Sequence, residues 1–275
     1  MKKTMNVALL IIGFDGYKDV WDSYFYLLNK YWDKNERPKT YLLTSELTPH
    51  YDGVITIAAG KGAEWSTKTR VGVENIKEDY VVLLLEDFFT TRKVDTKKLQ
   101  HVVEIMQRDN LKYCRILDQK RMYGPKYKGE KHILIIPRKD KYGICLEPGI
   151  WNKEFLREMV GTENYNPWLF EFKMLDLQLH NKDRIDTIQE NSNILEITHG
   201  IVQSQYLPQC IRIFKRQGYE FDLSHRKVFS FKDNFKYRLK CFVNFHSPEW
   251  SKPFLKSIGR AIGVDFVSDR IKGKN

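Results

Sequence analysis

Two acidic residues, Glu86 and Asp87, follow directly on an uninterrupted apolar run, Val81–Leu85. A run without alternation reads as a strand buried on both faces, as in the middle of a parallel sheet. Its carboxyl end is then the edge at which open α/β sheets bind ligands. Two carboxylates there suit a divalent cation, Mn2+ or Mg2+, and through it a diphosphate. The plainer alternative is a pair that caps a turn and faces water. Asp15 falls in a glycine-bounded loop, Gly13–Gly16, after an earlier apolar run. It suits a base or ribose, or equally a helix cap. Gly60 and Gly62 flank Lys61 ahead of a helix that also carries Arg70. A glycine loop before a helix lets backbone N–H groups approach an anion, although the P-loop spacing is absent and a plain turn has the same signature.

Two further residues belong to the same chemistry. Glu171 sits among Pro167, Trp168, Phe170 and Phe172. A carboxylate in apolar surroundings is harder to ionise, which is how a general base near neutral pH is made; the alternative is a surface glutamate on a helix. His199–Gly200 closes a run from Asn193 to Thr198, where an imidazole can complete a metal or phosphate site.

Such residues need an alternating α/β frame to meet. Strands are expected at Asn6–Gly13, Thr40–Leu43, Gly53–Ala58, Val81–Leu85, Tyr113–Leu117, His132–Ile136, Tyr142–Leu146 and Asn193–Thr198. The helix after the first strand presents Tyr17, Val20, Trp21, Tyr24, Leu28 and Tyr31 on one face. A second starts near Trp65 or Ser66, and a third is capped by Asp95 or Thr96. A fourth runs through GIWNKEFLREMV. Residues 118–131 read as an exposed basic loop. This order predicts a mainly parallel sheet with flanking helices.

The chain has 275 residues and a net charge of +11. That charge points to a phosphate-rich partner: a nucleotide substrate, an anionic membrane surface or a nucleic acid. Cys114, Cys145, Cys210 and Cys241 are widely spaced and form no CxxC pair, which suits reduced thiols. The apolar run after Lys2 and Lys3 is short and stops at Asp15, so a first strand is expected there and not a signal peptide. With no run long enough to span a bilayer, a cytoplasmic protein is expected. From residue 226 onward lysines and arginines interleave with phenylalanine, tyrosine and tryptophan. That predicts a domain over 1–225 and a basic extension over 226–275 suited to an anionic membrane surface.

Taken together, DGYKDVW, EWSTKTRVGVENIKEDYVVLLLEDFF, IWNKEFL and NPWLFE, in that order, resemble bacterial GT-A glycosyltransferases of capsule and lipopolysaccharide assembly. The resemblance covers roughly residues 5–220. It implies a Rossmann-like GT-A fold and a nucleotide-diphosphate sugar donor bound by Asp15, Lys61, Gly62, Arg70 and Glu86. It further implies a divalent cation on Asp87 and His199, Glu171 as the base of an inverting transfer, and a glycan or lipid-linked acceptor at the inner membrane face. The family's acidic motif has two aspartates separated by one residue, whereas Asp87 is followed by Phe88 and Phe89. Two other classes share parts of the pattern. A nucleotidyltransferase would use the same sheet, phosphate loop and acidic pair. A nucleic-acid-binding protein would explain the basic aromatic tail but not carboxylates at the ligand edge, and no nucleic-acid partner is expected.

Overall fold

In the computed structural model the described residues are 5–116, 123–138, 140, 142–180 and 186–246, with 251, 254, 255 and 257. The chain divides into two compact units, up to Thr198 and from His199 onward. The compositional change at residue 226 lies inside the second unit, where Phe229 N–H donates to Tyr206 O across it.

The first unit follows an alternating path: β1 (Val7–Ile12), α1 (Lys18–Tyr31), β2 (Lys39–Thr44), β3 (Val54–Ala58), α2 (Trp65–Asn75), β4 (Tyr80–Leu85), β5 (Phe88–Thr90) and α3 (Thr96–Arg108). It continues through β6 (Tyr113–Arg115), β7 (Ile133–Ile135), β8 (Gly149–Asn152), α4 (Lys153–Val160), α5 (Pro167–His180), β9 (Thr187–Glu190) and β10 (Ile197–His199). The main sheet has eight strands in the order β3-β2-β1-β4-β8-β6-β9-β7. Strands β3, β2, β1 and β4 are all parallel, in register from Val7 opposite Tyr80 to Ile12 opposite Leu85. β8 runs against both β4 and β6, β9 is parallel to β6, and β7 is antiparallel to β9. The fold is therefore mixed α/β with a mainly parallel, Rossmann-like sheet, as the sequence indicates.

Both faces are covered, which is why β1 and β4 read as continuous apolar runs. Ala8, Leu10 and Ile12 of β1 and Val81 and Leu83 of β4 join one core with Trp65 and Val73 of α2, Phe155 and Leu156 of α4, and Phe170 and Met174 of α5. The alternate residues Leu9, Ile11, Val82 and Leu84 are equally buried. Tyr24 of α1 meets Phe89 of β5, and Trp32 Nε1 donates to Thr96 Oγ1, tying the end of α1 to the start of α3.

Several sequence-based boundaries change. GIWN is strand β8 and not the first turn of a helix: Asn152 caps α4 by accepting from Phe155 N–H, so the helix begins only at Lys153. Residues 142–146 form no strand, because side chains take their backbone groups. Arg115 donates to Tyr142 O, Tyr113 Oη to Cys145 O, and Leu146 N–H donates to Glu171. Asn193–Thr198 does not enter the main sheet. β9 occupies the place expected for it, and β10 pairs with β5 in a separate two-stranded ladder. Part of the expected 118–131 loop lies outside the described residues; Tyr127, within it, is buried.

The second unit contains a hairpin, β11 (Ile201–Val202) and β12 (Gln205–Tyr206), then α6 (Pro208–Arg216) and α7 (Phe231–His246). Gln203 and Ser204 turn the hairpin with φ of 49° and 61°, the pair of positive angles that a two-residue turn needs. Tyr206, Phe214, Tyr219 and Phe221 form an aromatic core with ring centroids 5.1–6.4 Å apart.

Gly149 permits the closest approach in the sheet. A Cβ there would lie 2.6 Å from Tyr113 Cε2, and Tyr113 is fully buried. Gly149→Ala should lower stability by about 1–3 kcal/mol through overpacking, read as a fall in the urea midpoint. An unchanged midpoint would mean that Tyr113 moves aside freely.

Candidate functional site

The order β3-β2-β1-β4 contains a topological switch point. The chain leaves β1 toward β2 and β3 on one side, and β4 lies on the other. Ligands of open α/β sheets enter the crevice outside the carboxyl ends at such a point. Here that crevice is bounded by the loop after β1, Gly13–Tyr17, and the turn after β4, Glu86–Asp87.

A single peptide group organises it. The carbonyl of Gly13 and the N–H of Phe14 belong to one peptide unit, and each is gripped by a buried ionisable side chain. Lys68 Nζ of α2 donates to Gly13 O at 2.6 Å, and Phe14 N–H donates to Glu86 Oε1 at 2.8 Å. Lys68 is 4% exposed and Glu86 6%. Burial raises the Glu86 carboxyl, and the neighbouring Asp87 charge raises it further, to about 8, against the opposing pull of Phe14 N–H and Lys68. Burial likewise lowers Lys68, while Glu86 and Asp15 counter it. Burial and the neighbouring Asp87 thus favour the protonated form of Glu86, which supports the loop from beneath.

The loop so held directs Asp15 sideways. Its carboxylate accepts from Ser45 N–H at 2.8 Å, Glu46 N–H at 2.8 Å and Leu47 N–H at 3.0 Å. Burial alone would raise this carboxyl, but those three donors and Lys68 hold it below the usual range. Asp15 thus clamps the loop after β2. Ser45 extends the chain of contacts: its Oγ donates to Ala63 O at 3.0 Å, and its carbonyl accepts from Gly60 N–H at 2.8 Å. Gly60 and Gly62 adopt φ of +103° and +74° with open space around them, so the turn requires glycine for its backbone angles. Asn164 then accepts from Glu64 N–H and Thr67 Oγ1 and donates to Gly62 O. Three strand-end loops are stitched into one rim.

The structure sorts the residues singled out by sequence. Asp15, Glu86 and the Gly60–Gly62 turn meet at this rim, with Lys61 exposed on the turn and Asp87 half-buried beside Glu86. Arg70 does not join them: it donates to Gly161 O and Thr67 Oγ1, securing the α4–α5 connection. Glu171 is half-buried on α5, with Oε1 accepting from Leu146 N–H at 3.4 Å. His199 is the first residue of the second unit. Lys68 was not singled out, although Trp65, Lys68 and Gly72 share the helical period that turns inward. Phe14, exposed at the mouth of the crevice, was also passed over. Its ring sits where a Cβ on Gly16 would come within 2.5 Å of it, and meets Tyr17 edge-on at 5.5 Å.

Among the described residues no group of three or more His, Cys, Asp or Glu is placed to hold a metal ion.

No family model matches the chain, and no curated protein matches it. Solved structures to which the chain is similar include S. aureus TarS 1–349, with a TM-score of 0.45 and 10% identity over 70% of this chain and 60% of that one. This chain thus spans less than two thirds of that TarS structure. The same protein in complex with UDP-GlcNAc gives 0.47 and 10% over 90% of this chain and 70% of that one. A cytidylyltransferase from Leptospira borgpetersenii gives 0.42 and 12% over 96% and 98%. At TM-scores below 0.5 these likenesses add nothing to what the sheet order says.

The elevated Glu86 carboxyl has a measurable sign. The unfolded chain releases this proton near 4.5 and the folded chain near 8. Between those values the folded state binds more protons, so this group makes stability fall as pH rises. In buffer containing EDTA, Glu86→Gln should flatten the decline in urea midpoint between pH 5.5 and 8.5. Parallel slopes for the two proteins would show that Glu86 is ionised inside the fold.

Proposed function

We propose that the first unit transfers a sugar from a nucleoside-diphosphate sugar to a hydroxyl of a glycan or lipid-linked acceptor. The observation that carries this reading is the coincidence of the β1/β4 switch point with an acidic turn and a glycine turn on one rim. A sugar nucleotide leaves its diphosphate as the acceptor oxygen attacks the anomeric carbon. The rim supplies what that departure needs: Lys61, exposed on a turn with positive-φ glycines, stabilises the developing charge. A divalent cation would be held by Asp87 together with the donor's own phosphate oxygens, and would neutralise diphosphate charge.

Glu86 and Lys68 stay beneath the loop and position it. Asp15 fixes the Ser45–Leu47 loop through its three N–H groups. Glu171 takes the proton of the incoming hydroxyl, and attack from the side opposite the diphosphate inverts the anomeric centre. The reading is supported by Glu171 standing on α5, whose lead-in residue Tyr165 is tied to the start of α2 by reciprocal bonds with Ser66.

Incubation with a panel of nucleotide sugars and acceptors should release a nucleoside diphosphate. Release of pyrophosphate from a nucleoside triphosphate and a sugar phosphate would instead mark a nucleotidyltransferase. Asp87→Asn should weaken donor binding about tenfold or more, the worth of a charged contact, as measured by calorimetric titration with the nucleoside diphosphate. Undiminished affinity would remove Asp87 from the donor site. Glu171→Gln should preserve donor affinity and cut turnover by roughly a hundredfold or more. Turnover near that of the parent protein would leave Glu171 with only its bond to Leu146.

A further inference from the structure

The positive charge of this protein is concentrated in the second unit. Residues 199–275 contain 15 Lys and Arg against 6 Asp and Glu, so nine of the eleven net positive charges lie there. Within that unit α7 carries an apolar stripe facing outward. Phe231, Phe235 and Phe242 are 90%, 56% and 55% exposed, and with Arg238 they recur at i, i+4, i+7 and i+11, one side of a helix. Together with Asn234 and Leu239 they line an open hollow of about 390 Å³. The helix is anchored on the flanks of the stripe: Val243 is buried against Leu239 and Leu255, and Tyr237 packs edge-on against Phe229 at 6.1 Å. Ser230 caps the helix by accepting from Asp233 N–H. The stripe is thus presented by a fixed helix.

We propose that α7 is an interfacial helix that seats this protein on an anionic lipid bilayer, its three phenylalanines entering the headgroup layer. Phenylalanine and cations on one exposed face suit that layer, where the rings leave water while the charges stay at the phosphates. Arg238, in the middle of the stripe, has a stem long enough to lie along the rings and return its guanidinium to the headgroups. Lys232, exposed beside Phe231, reaches the same level. Aromatic rings with an arginine also occur at protein interfaces, and it is the second unit's excess of nine positive charges that favours an anionic bilayer over a neutral partner. A nucleic acid would engage a row of cations with stacking aromatics between them, whereas this stripe is three rings to one cation. Among the described residues no helix is long and apolar enough to cross a membrane, so α7 lies on the surface. The inference is independent of the transfer reaction, since binding is read without turnover.

Co-sedimentation of the full chain with vesicles tests it, using phosphatidylcholine alone and phosphatidylcholine mixed with phosphatidylglycerol. The protein should pellet with the anionic vesicles, remain in solution with the neutral ones, and be released as salt screens the attraction. Replacing Phe231, Phe235 and Phe242 together by serine should reduce partition about tenfold or more, with the melting temperature preserved because the rings are exposed. A second variant, Lys232→Glu with Arg238→Glu, should lose anionic preference to a similar extent, and it decides the matter if the serine variant fails to fold. Equal partition of parent and both variants, or equal binding to neutral vesicles, would overturn the proposal. So would tighter binding to a single-stranded RNA than to anionic vesicles, which would make the stripe a nucleic-acid face. A dimer in lipid-free buffer that the serine variant abolishes, without vesicle binding, would make it a contact between copies.

Discussion

One peptide group, the Gly13–Phe14 amide, is the constraint on which the first unit's crevice depends. Its carbonyl is held by Lys68 and its N–H by Glu86, one from a helix and one from the turn after the neighbouring strand. Strand β1 ends there, and a chain leaving a parallel strand has many ways to turn. Fixing both polar groups of the first peptide beyond the strand removes most of them, and Asp15 is then delivered to the three N–H groups of Ser45–Leu47. Through Ser45 the same order passes to Gly60 and the β3 loop. The rim is thereby positioned by side chains that do not themselves face solvent.

Burying two ionisable groups to hold one amide is costly unless each has partners. The protein meets that cost in different ways at the two ends. Lys68 keeps the Asp15 carboxylate as an opposite charge nearby and Gly13 O as its hydrogen-bond acceptor, although its own burial works against it. Glu86 is moved upward until it is largely neutral near pH 7, by burial first and by Asp87 second. Glu86 is thus a hydrogen-bond acceptor of the scaffold, with Asp87 half-buried beside it.

Much of this was legible in the chain. The uninterrupted apolar runs Val7–Ile12 and Val81–Leu85 announced doubly covered parallel strands, and Asp95 marked the start of α3. Trp65 as the start of α2 also agrees. What was not legible depends on partners distant in sequence. GIWN resembles the front of the helix that follows it until Gly149 is seen packed against Tyr113 and Asn152 is seen capping. Asp15 and Arg70 are polar residues near a ligand edge, and nothing local says that one will take three backbone donors and the other a carbonyl at Gly161. Lys68 was the exception, since its helical period already turned it inward, and a lysine on an apolar face has to find a partner.

The two units also differ in how they use charge. The first carries acids and bases in near balance, and spends several of them inside, where burial and pairing tune them. The second holds most of the excess positive charge and leaves it with exposed phenylalanine on α7. Exposed rings in a stripe tend to associate with whatever apolar surface they meet, and interspersed cations restrict that surface to an anionic one. Acidic groups in the first unit are drawn into specific bonds, so the chain's net field is set by residues that form no part of the crevice. The buried ionic contacts of the β1/β4 switch point and the basic, phenylalanine-bearing stretch are thus written into separate parts of the sequence.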